Sequence, residues 1–170
     1  MHPDFFGDSF DLVKRFFCQE LSGLGYNVKI DGMFTGIWNG KEQDFLKLIA
    51  LVNTSPNANA QSKSALFIDP DIGANAKGSK KHVSFQSLAA QAQSHKIVFS
   101  FDQAFSRQAK AKDVMHQKLA EVEKLGCHGI YYNSHAKFLF VSRDSTVLQE
   151  FKSHMVSVGL PAFRLFESDG

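Results

Sequence analysis

Two short apolar segments of the sequence end in aspartate, and these aspartates are the first candidates for chemistry. Residues 65–68 precede Asp69, residues 96–101 precede Asp102, and Asp71 follows Asp69 after one proline. Ligands of open α/β sheets bind beyond the carboxyl ends of the strands, so we expect the three carboxylates to converge there. Carboxylates are the ligands that Mg²⁺ or Mn²⁺ prefers, and such a metal activates water for phosphoryl transfer. Turn formation by the Asp-Pro-Asp-x-Gly segment is the alternative.

A basic loop follows the aspartates. Within residues 74–83 it carries Lys77, Lys80, Lys81 and His82 beside glycine. Ammonium groups and free backbone N–H groups bind phosphate, so the loop predicts a phosphate contact. Lys81 is expected to be a catalytic residue together with Asp69, Asp71 and Asp102. It is not a Walker A loop, because the Gly-x-x-x-x-Gly-Lys-Ser/Thr pattern is absent. A solvated surface loop is the alternative.

Further polar residues follow Asp102. Gln103 and Arg107 lie at the start of a helix predicted over 106–125, with Ser106 as its cap. Helix N-termini favour anions, and an arginine adds a bidentate clamp. Both residues are therefore expected to bind the ligand, whereas His135 in a predicted hairpin turn is expected to be simply exposed.

Apolar spacing predicts the elements that position these residues. Period-two alternation or short apolar runs indicate strands, and spacings of three and four indicate helices. The alternation of the two predicts one α/β domain over 1–170, a three-layer sandwich whose mostly parallel sheet carries an antiparallel hairpin near its C-terminal edge. The polar stretch 53–64 is expected to be a flexible loop. The predicted helices are 9–24, 42–53, 85–93, 106–125 and 146–158, and the predicted strands are 26–30, 65–68, 96–101, 129–132, 137–141 and 163–166.

The first helix is expected to bury one apolar face. Phe10, Val13, Phe17, Leu21 and Leu24 share that face, and the polar residues are placed elsewhere on the helix. The chain has 17 phenylalanines, which are expected to fill the core rather than to stack exposed bases. Cys18 is likewise expected to be a core residue. The polar residues assigned to the other faces are Lys14, Arg15 and Glu20.

Composition excludes several classes of protein. Apolar residues make up 44% of the 170 residues and the net charge is +2, which excludes a disordered chain and leaves no strong global field. A nucleic-acid partner therefore requires a local basic patch. No apolar run approaches the length of a membrane span and no signal peptide is visible, so a cytoplasmic protein with no membrane partner is expected. The common zinc motifs and the Gly-x-Ser-x-Gly elbow are absent.

Four segments together resemble a known family. They are residues 7–15 (Gly-Asp-Ser-Phe-Asp-Leu-Val-Lys-Arg), 67–73 (Phe-Ile-Asp-Pro-Asp-Ile-Gly), 81–83 (Lys-His-Val) and 101–103 (Phe-Asp-Gln). They resemble a group of uncharacterised bacterial proteins with a Gly-Asp-Ser-Tyr-Asp start and an Asp-Pro-Asp-x-Gly strand end. The resemblance implies no particular activity. It does imply that a site includes Asp8, Asp11, Lys14, Asp69, Asp71, Lys81 and Asp102.

A weaker resemblance is to the later half of Rossmann-type methyltransferases. In those proteins a strand ending in Asp-Pro-Pro is followed by an α/β unit and an antiparallel hairpin, the order that this chain shows from Asp69 onward. The chain departs from the pattern at Asp71, where the family has an apolar or aromatic residue, and no glycine-rich S-adenosylmethionine loop precedes it.

These patterns lead to one leading hypothesis and two alternatives. The leading hypothesis is a metal-assisted phosphodiesterase or nuclease-like protein that acts on nucleic acid or a nucleotide. Asp69, Asp71 and Asp102 would hold the cation, while Lys81 and Arg107 would take phosphate. The first alternative is a non-catalytic phosphate-binding or nucleic-acid-binding module that uses the same basic crevice. The second is a degenerate methyltransferase-like domain.

Overall fold

A computed structural model describes residues 3–50, 63–105 and 109–167. Most element bounds lie within two residues of those expected from apolar spacing. The helices are α1 (Ser9–Gly23), α2 (Glu42–Ile49), α3 (Phe85–Gln91), α4 (Ala111–Lys124) and α5 (Ser145–Ser157). The strands are β1 (Tyr26–Asp31), β2 (Lys63–Ile68), β3 (Gly73–Asn75), β4 (His82–Ser84), β5 (Ile97–Phe101), β6 (His128–Tyr132), β7 (Phe138–Ser142) and β8 (Leu165–Glu167).

Six of the strands form one mixed sheet in the order β1-β2-β5-β7-β6-β8. β1, β2 and β5 pair in parallel, whereas β7 pairs antiparallel with both β5 and β6. β8 pairs antiparallel with β6 and closes the far edge. Four strands therefore run in one direction and two in the other, which confirms the mostly parallel α/β sheet with an antiparallel hairpin near its C-terminal edge.

Helices cover both faces of this sheet and create two cores. Alternate residues of one strand enter different cores: in β2, Ala65 and Phe67 belong to the core that contains Phe17 of α1, whereas Leu66 and Ile68 belong to the core that contains Leu119 of α4. The period-two geometry of a strand causes this division, because successive side chains point to opposite faces. The three-layer arrangement follows from it.

Most of the described phenylalanines lie in the α1-side core, as expected. Phe67, Phe99 and Phe140 stack on neighbouring strands, with ring centroids 4.9 Å apart for the first pair and 5.3 Å for the second. Phe5 and Phe163 are exceptions, with 60% and 77% of their surface exposed. Cys18 is buried in the same core.

The polar residues of α1 include one correction. Asp8 caps the helix, its carboxylate accepting the backbone N–H groups of Phe10 and Asp11. Lys14, which was expected on a face away from the core, is fully buried, as is Asp11. Lys14 lies four residues after Phe10 and three before Phe17, so it shares their helical face.

Two further expectations differ from the structure. Residues 74–83 were expected to be a loop, but β3 and β4 form a small parallel two-stranded sheet at its two ends. Residues 109 and 110 are not helical and α4 begins at Ala111, so Gln103 does not lie in the first turn of α4. Ser106, Arg107 and residues 53–62 of the expected flexible loop lie outside the described residues, while residues 63 and 64 begin β2.

In the described part of the chain, no helix combines the length and apolar character needed to cross a membrane.

Candidate functional site

A cavity opens at the carboxyl ends of β2 and β5, beside the start of α1. Its volume is about 300 Å³. The side chains around it are of two kinds, aromatic rings and polar groups. The rings are those of Phe5, Phe10 and Phe101, and the polar groups are those of Asp8, Lys14, Asp71 and Gln103. We call this cavity the aromatic cavity.

A buried group that we call the Asp69 cluster borders the aromatic cavity through Lys14. It consists of Asp11, Lys14 and Asp69, all fully buried. The Lys14 ammonium lies 2.9 Å from Asp11 Oδ1 and 2.9 Å from Asp69 Oδ2. The same ammonium lies over the ring of Phe101, 4.9 Å from its centroid. Two carboxylates thus share one ammonium. Their negative charge neutralises that of Lys14, so Lys14 does not present a free cation to the cavity.

One oxygen of the Asp69 cluster is not paired. Asp11 Oδ2 accepts the backbone N–H of Gly7, but Asp69 Oδ1 is buried and has no hydrogen-bond partner among the described residues. Burial raises the pKa of the Asp69 carboxyl above its ordinary value; the Lys14 ammonium opposes this shift and the Asp11 carboxylate adds to it. The pKa of the nearby Cys18 thiol is raised to about 12, mainly by burial and secondly by the Asp69 carboxylate. That thiol is therefore inert at neutral pH.

The Asp102 cluster, formed by Asp102, Lys118 and Tyr131, is the second buried group. Lys118 donates to both carboxylate oxygens, at 2.9 and 2.7 Å, and the Tyr131 hydroxyl donates to Oδ2 at 2.6 Å. The backbone N–H groups of Ala74 and Ala104 donate to Oδ1. Burial lowers the pKa of Lys118, with Asp102 opposing, and burial followed by Asp102 raises the pKa of Tyr131 well above its ordinary value.

The backbone at Gly73 is built around Asp102. Gly73 has a φ of +142°, and a Cβ added to it would lie 2.0 Å from Asp102 Oδ1 and 2.9 Å from the Asp102 Cα. Only glycine fits both the conformation and the space. The Asp-Pro-Asp-x-Gly segment thus ends in a residue that lets the start of β3 reach the carboxylate of Asp102, a structural role for the motif's glycine.

Asp69 and Asp102 were expected to converge, but they do not, and strand alternation explains why. β2 and β5 are neighbours, with Phe67 level with Phe99. The aspartates, however, sit one position apart in this register, and their side chains contact opposite layers, α1 for Asp69 and α4 for Asp102.

The same geometry does not fit the expected cation site. Across residues 3–50, 63–105 and 109–167, no group of three His, Cys, Asp or Glu side chains could hold a metal ion. Asp69 and Asp102 each have a lysine ammonium as a partner instead. Binding of Mg²⁺ or Mn²⁺ by Asp69, Asp71 and Asp102 stays a prediction.

The basic loop borders the aromatic cavity at a single point. Lys81 Nζ lies 3.8 Å from Asp71 Oδ2, and the Lys81 side chain is 61% exposed. Lys77 and Lys80 are exposed and His82 is half-buried. Several backbone amides of the loop, which were expected to be free, are already bonded. The N–H groups of Lys77 and Gly78 both bond the Asn75 carboxamide oxygen, and that of Lys81 bonds Ser79 Oγ. Any phosphate contact here therefore depends mainly on side chains.

Gln103 and His135 lie together at the rim of the aromatic cavity. Gln103 Nε2 donates to the backbone carbonyl of His135 at 2.6 Å. The His135 ring is stacked on Phe10 with centroids 5.0 Å apart. His135 is exposed as expected, and its contact with Phe10 fixes one wall of the cavity.

Sequence reasoning missed Lys118 and Tyr131, as well as the aromatic lining of the cavity. A signal for Lys118 was present: it lies three residues after Met115 and four before Val122, on the buried face of α4. A lysine on such a face requires an acidic partner, and the same rule would have found Lys14. Tyr131 carried no comparable signal, since it lies among the apolar residues of β6.

Comparison of the chain with protein-family models, with curated proteins and with solved structures gives no match. The fold and the site therefore define the class by themselves: a three-layer α/β domain with a cavity at the carboxyl edge of its sheet.

Proposed function

We propose that the chain binds a nucleotide, free or within a nucleic acid, across the carboxyl edge of the sheet. The base enters the aromatic cavity and the phosphate meets Lys80 and Lys81 of the basic loop. One observation carries the proposal: Lys81 Nζ lies 3.8 Å from Asp71 Oδ2, and Asp71 lines the cavity. A site for an apolar ring therefore adjoins a site for an anion, and a nucleotide combines these two groups.

The lining of the aromatic cavity suits a base. Phe5, Phe10 and Phe101 offer ring faces and edges, and bases gain about 1–3 kcal/mol each from aromatic stacking. Asp71 and Gln103 offer the acceptor and amide groups that bond base edges. The Lys14 ammonium is already shared by two carboxylates, so it does not make the cavity an anion site.

The basic loop suits the phosphate. Lys80 and Lys81 are exposed, and lysine acts on phosphate as a mobile point charge. Contacts of this kind carry no base specificity, and they weaken as salt concentration rises, because the release of counterions on binding then gains less free energy. We therefore expect modest, salt-sensitive affinity from the loop and selectivity from the cavity.

Binding without catalysis is the function that the geometry supports best. The nuclease hypothesis depends on three carboxylates around one cation, and the side chains of Asp69 and Asp102 contact opposite layers. The methyltransferase-like alternative rests on strand order alone. Both stay predictions.

Fluorescence anisotropy with a labelled single-stranded eight-nucleotide DNA at low salt tests the proposal. We expect saturable binding that weakens as salt rises. The Lys80→Ala/Lys81→Ala variant should lose about tenfold in affinity and show a flatter salt dependence. The Phe5→Ala variant should lose affinity without a change in salt dependence, because Phe5 supplies a ring and no charge.

The matched control removes two lysines from the opposite edge of the sheet. Lys63 begins β2 and Lys124 ends α4, and both side chains are more than half exposed. Lys63→Ala/Lys124→Ala changes the net charge equally, so its affinity should stay within about twofold of wild type if the effect is local. Equal losses in the two double variants, or no binding at low salt, would overturn the proposal.

A further inference from the structure

A second cavity lies on the other side of the segment that carries the basic loop. Its volume is about 480 Å³. Ile68 lines it, and Ile68 belongs to the α4-side core, whereas the next residue, Asp69, contacts α1. Lys81 likewise reaches Asp71 of the aromatic cavity, whereas the next residue, His82, lines the second cavity. The segment from 71 to 84 is thus a wall between two cavities.

The chemistry of the second cavity differs from that of the aromatic cavity. Its described lining contains Lys77, His82 and the hydroxyls of Ser79, Ser84 and Ser87. Asp31 is the carboxylate of this lining, and its Oδ1 accepts the backbone N–H of Met33. A cation, an imidazole and a hydroxyl are groups that contact phosphate; the Ser84 hydroxyl already donates to Ser87 Oγ, which leaves the Ser87 hydroxyl as a donor. Of the two cavities, as far as the described residues show, only the aromatic cavity presents phenylalanine rings to a base.

The loop holds the His82 ring in one orientation. Ser79 Oγ lies 3.0 Å from His82 Nδ1 and also accepts the Lys81 backbone N–H. His82 Nε2 has no hydrogen-bond partner among the described residues, so a phosphate ligand can bond the ring there when Nε2 carries a hydrogen.

We propose that the second cavity binds a further phosphate of the ligand whose base enters the aromatic cavity, so that the ligand is a single-stranded oligonucleotide rather than a mononucleotide. This inference rests on the proposed function. A strand whose base occupies the aromatic cavity passes over Lys81 and reaches Lys77 and His82 on the far side of the wall. The strand must be single, because a base that enters a cavity is neither paired nor stacked in a duplex.

Calorimetric titration of deoxyadenosine monophosphate, an eight-nucleotide deoxyadenylate and its duplex separates the possibilities. We expect the single strand to bind at least about tenfold more tightly than the monophosphate, and the duplex more weakly than the single strand. Lys77→Ala/His82→Ala should remove most of the gain of the single strand while leaving the affinity for the monophosphate within about twofold. Phe5→Ala should weaken both ligands.

The chain offers a matched control pair. His95 and Lys96 are adjacent, lie before β5 at the opposite edge of the sheet, and line a different cavity. His95→Ala/Lys96→Ala should leave all three affinities unchanged. The Lys77→Ala single variant removes an exposed side chain, and it repeats the test should the double variant fail to fold.

The failures are distinguishable. Binding of the monophosphate with no gain for the longer strand, or equal losses of both ligands in Lys77→Ala/His82→Ala, overturns this inference and leaves the proposed function intact. Binding of neither ligand overturns both. Titration with inorganic phosphate tests for a small-anion site instead. Saturable phosphate binding that Lys77→Ala/His82→Ala abolishes, and that the single strand does not compete for, also overturns the inference.

Discussion

The two buried aspartate–lysine clusters have the same components but differ in how completely they are bonded. In the Asp102 cluster, both carboxylate oxygens accept hydrogen bonds, from Lys118, Tyr131 and two backbone N–H groups. In the Asp69 cluster, Lys14 bonds two carboxylates and Asp69 Oδ1 has no partner in the described part of the chain. The first cluster is a closed network and the second is not.

We interpret this difference as a structural role for the Asp102 cluster and a candidate functional role for the Asp69 cluster. Asp102 ties β3, α4 and β6 to the end of β5, which is what a fold requires of a buried charge. The Asp69 cluster borders the aromatic cavity through Lys14 and carries more negative than positive charge when both acids are ionised. An incompletely satisfied buried polar group calls for an explanation, and a functional role is one of them. We therefore place the Asp69 cluster, and not the Asp102 cluster, in the candidate site.

Replacement of Asp102 should have the largest effect on stability. Asp102→Asn leaves the Lys118 ammonium, whose side chain is only 10% exposed, without a counter-charge, and removing one partner of a buried pair costs about 3–5 kcal/mol. Urea midpoints of wild type and variant measure the loss. An effect no larger than that of Asp69→Asn would contradict the distinction between the clusters.

A side chain at Gly73 should have the next largest effect. The Cβ of Gly73→Ala would collide with Asp102 Oδ1 in a left-handed backbone conformation, and we expect a loss of about 3 kcal/mol from overpacking and strain. Gly126→Ala is the matched control, because Gly126 also has a positive φ but nothing within 4 Å of its added Cβ. It should lose about 1 kcal/mol. Similar melting temperatures for the two variants would refute the close packing of Gly73 on Asp102.

The smallest effect is expected for Asp69→Asn, and it should depend on pH. The variant leaves Lys14 paired with Asp11, so its free energy of unfolding at neutral pH should stay within about 1 kcal/mol of wild type. The pKa of Asp69 is raised above 3.8 in the folded chain. Its contribution to wild-type stability is therefore fully present below that value and is lost as pH rises through the folded pKa.

Urea midpoints from pH 4 to pH 7 in EDTA measure this dependence. Wild type should lose stability relative to Asp69→Asn as pH rises. A clear loss in the variant at every pH would make Asp69 a structural residue and remove it from the candidate site. Repeating the series with Mg²⁺ tests the metal prediction, since a cation held by Asp69 should stabilise wild type and not the variant.

Some of the residues in this comparison could be predicted from the sequence. Asp69 and Asp71 were selected because they follow an apolar strand, and Lys81 because it lies in the basic loop after them. The structure places Asp71 at the aromatic cavity and Lys81 beside Asp71. Asp102 was selected by the same rule, but it belongs to the other layer. The rule predicts at which edge of the sheet a residue lies, but not towards which face its side chain points. The face depends on the register of the neighbouring strands, which the sequence does not give.

Local pattern determined the elements of this protein. Apolar spacing, the Asp8 cap and the glycines that end the helices specify the five helices and six main strands of the described residues within a few positions, because these signals depend on near neighbours. Pairing of β7 between β5 and β6, burial of Lys14 and Lys118, and separation of the two aspartates were decided only by the tertiary structure. Each of these depends on contacts between residues far apart in the chain, such as the 2.9 Å bond from Lys14 to Asp69, which no local pattern encodes.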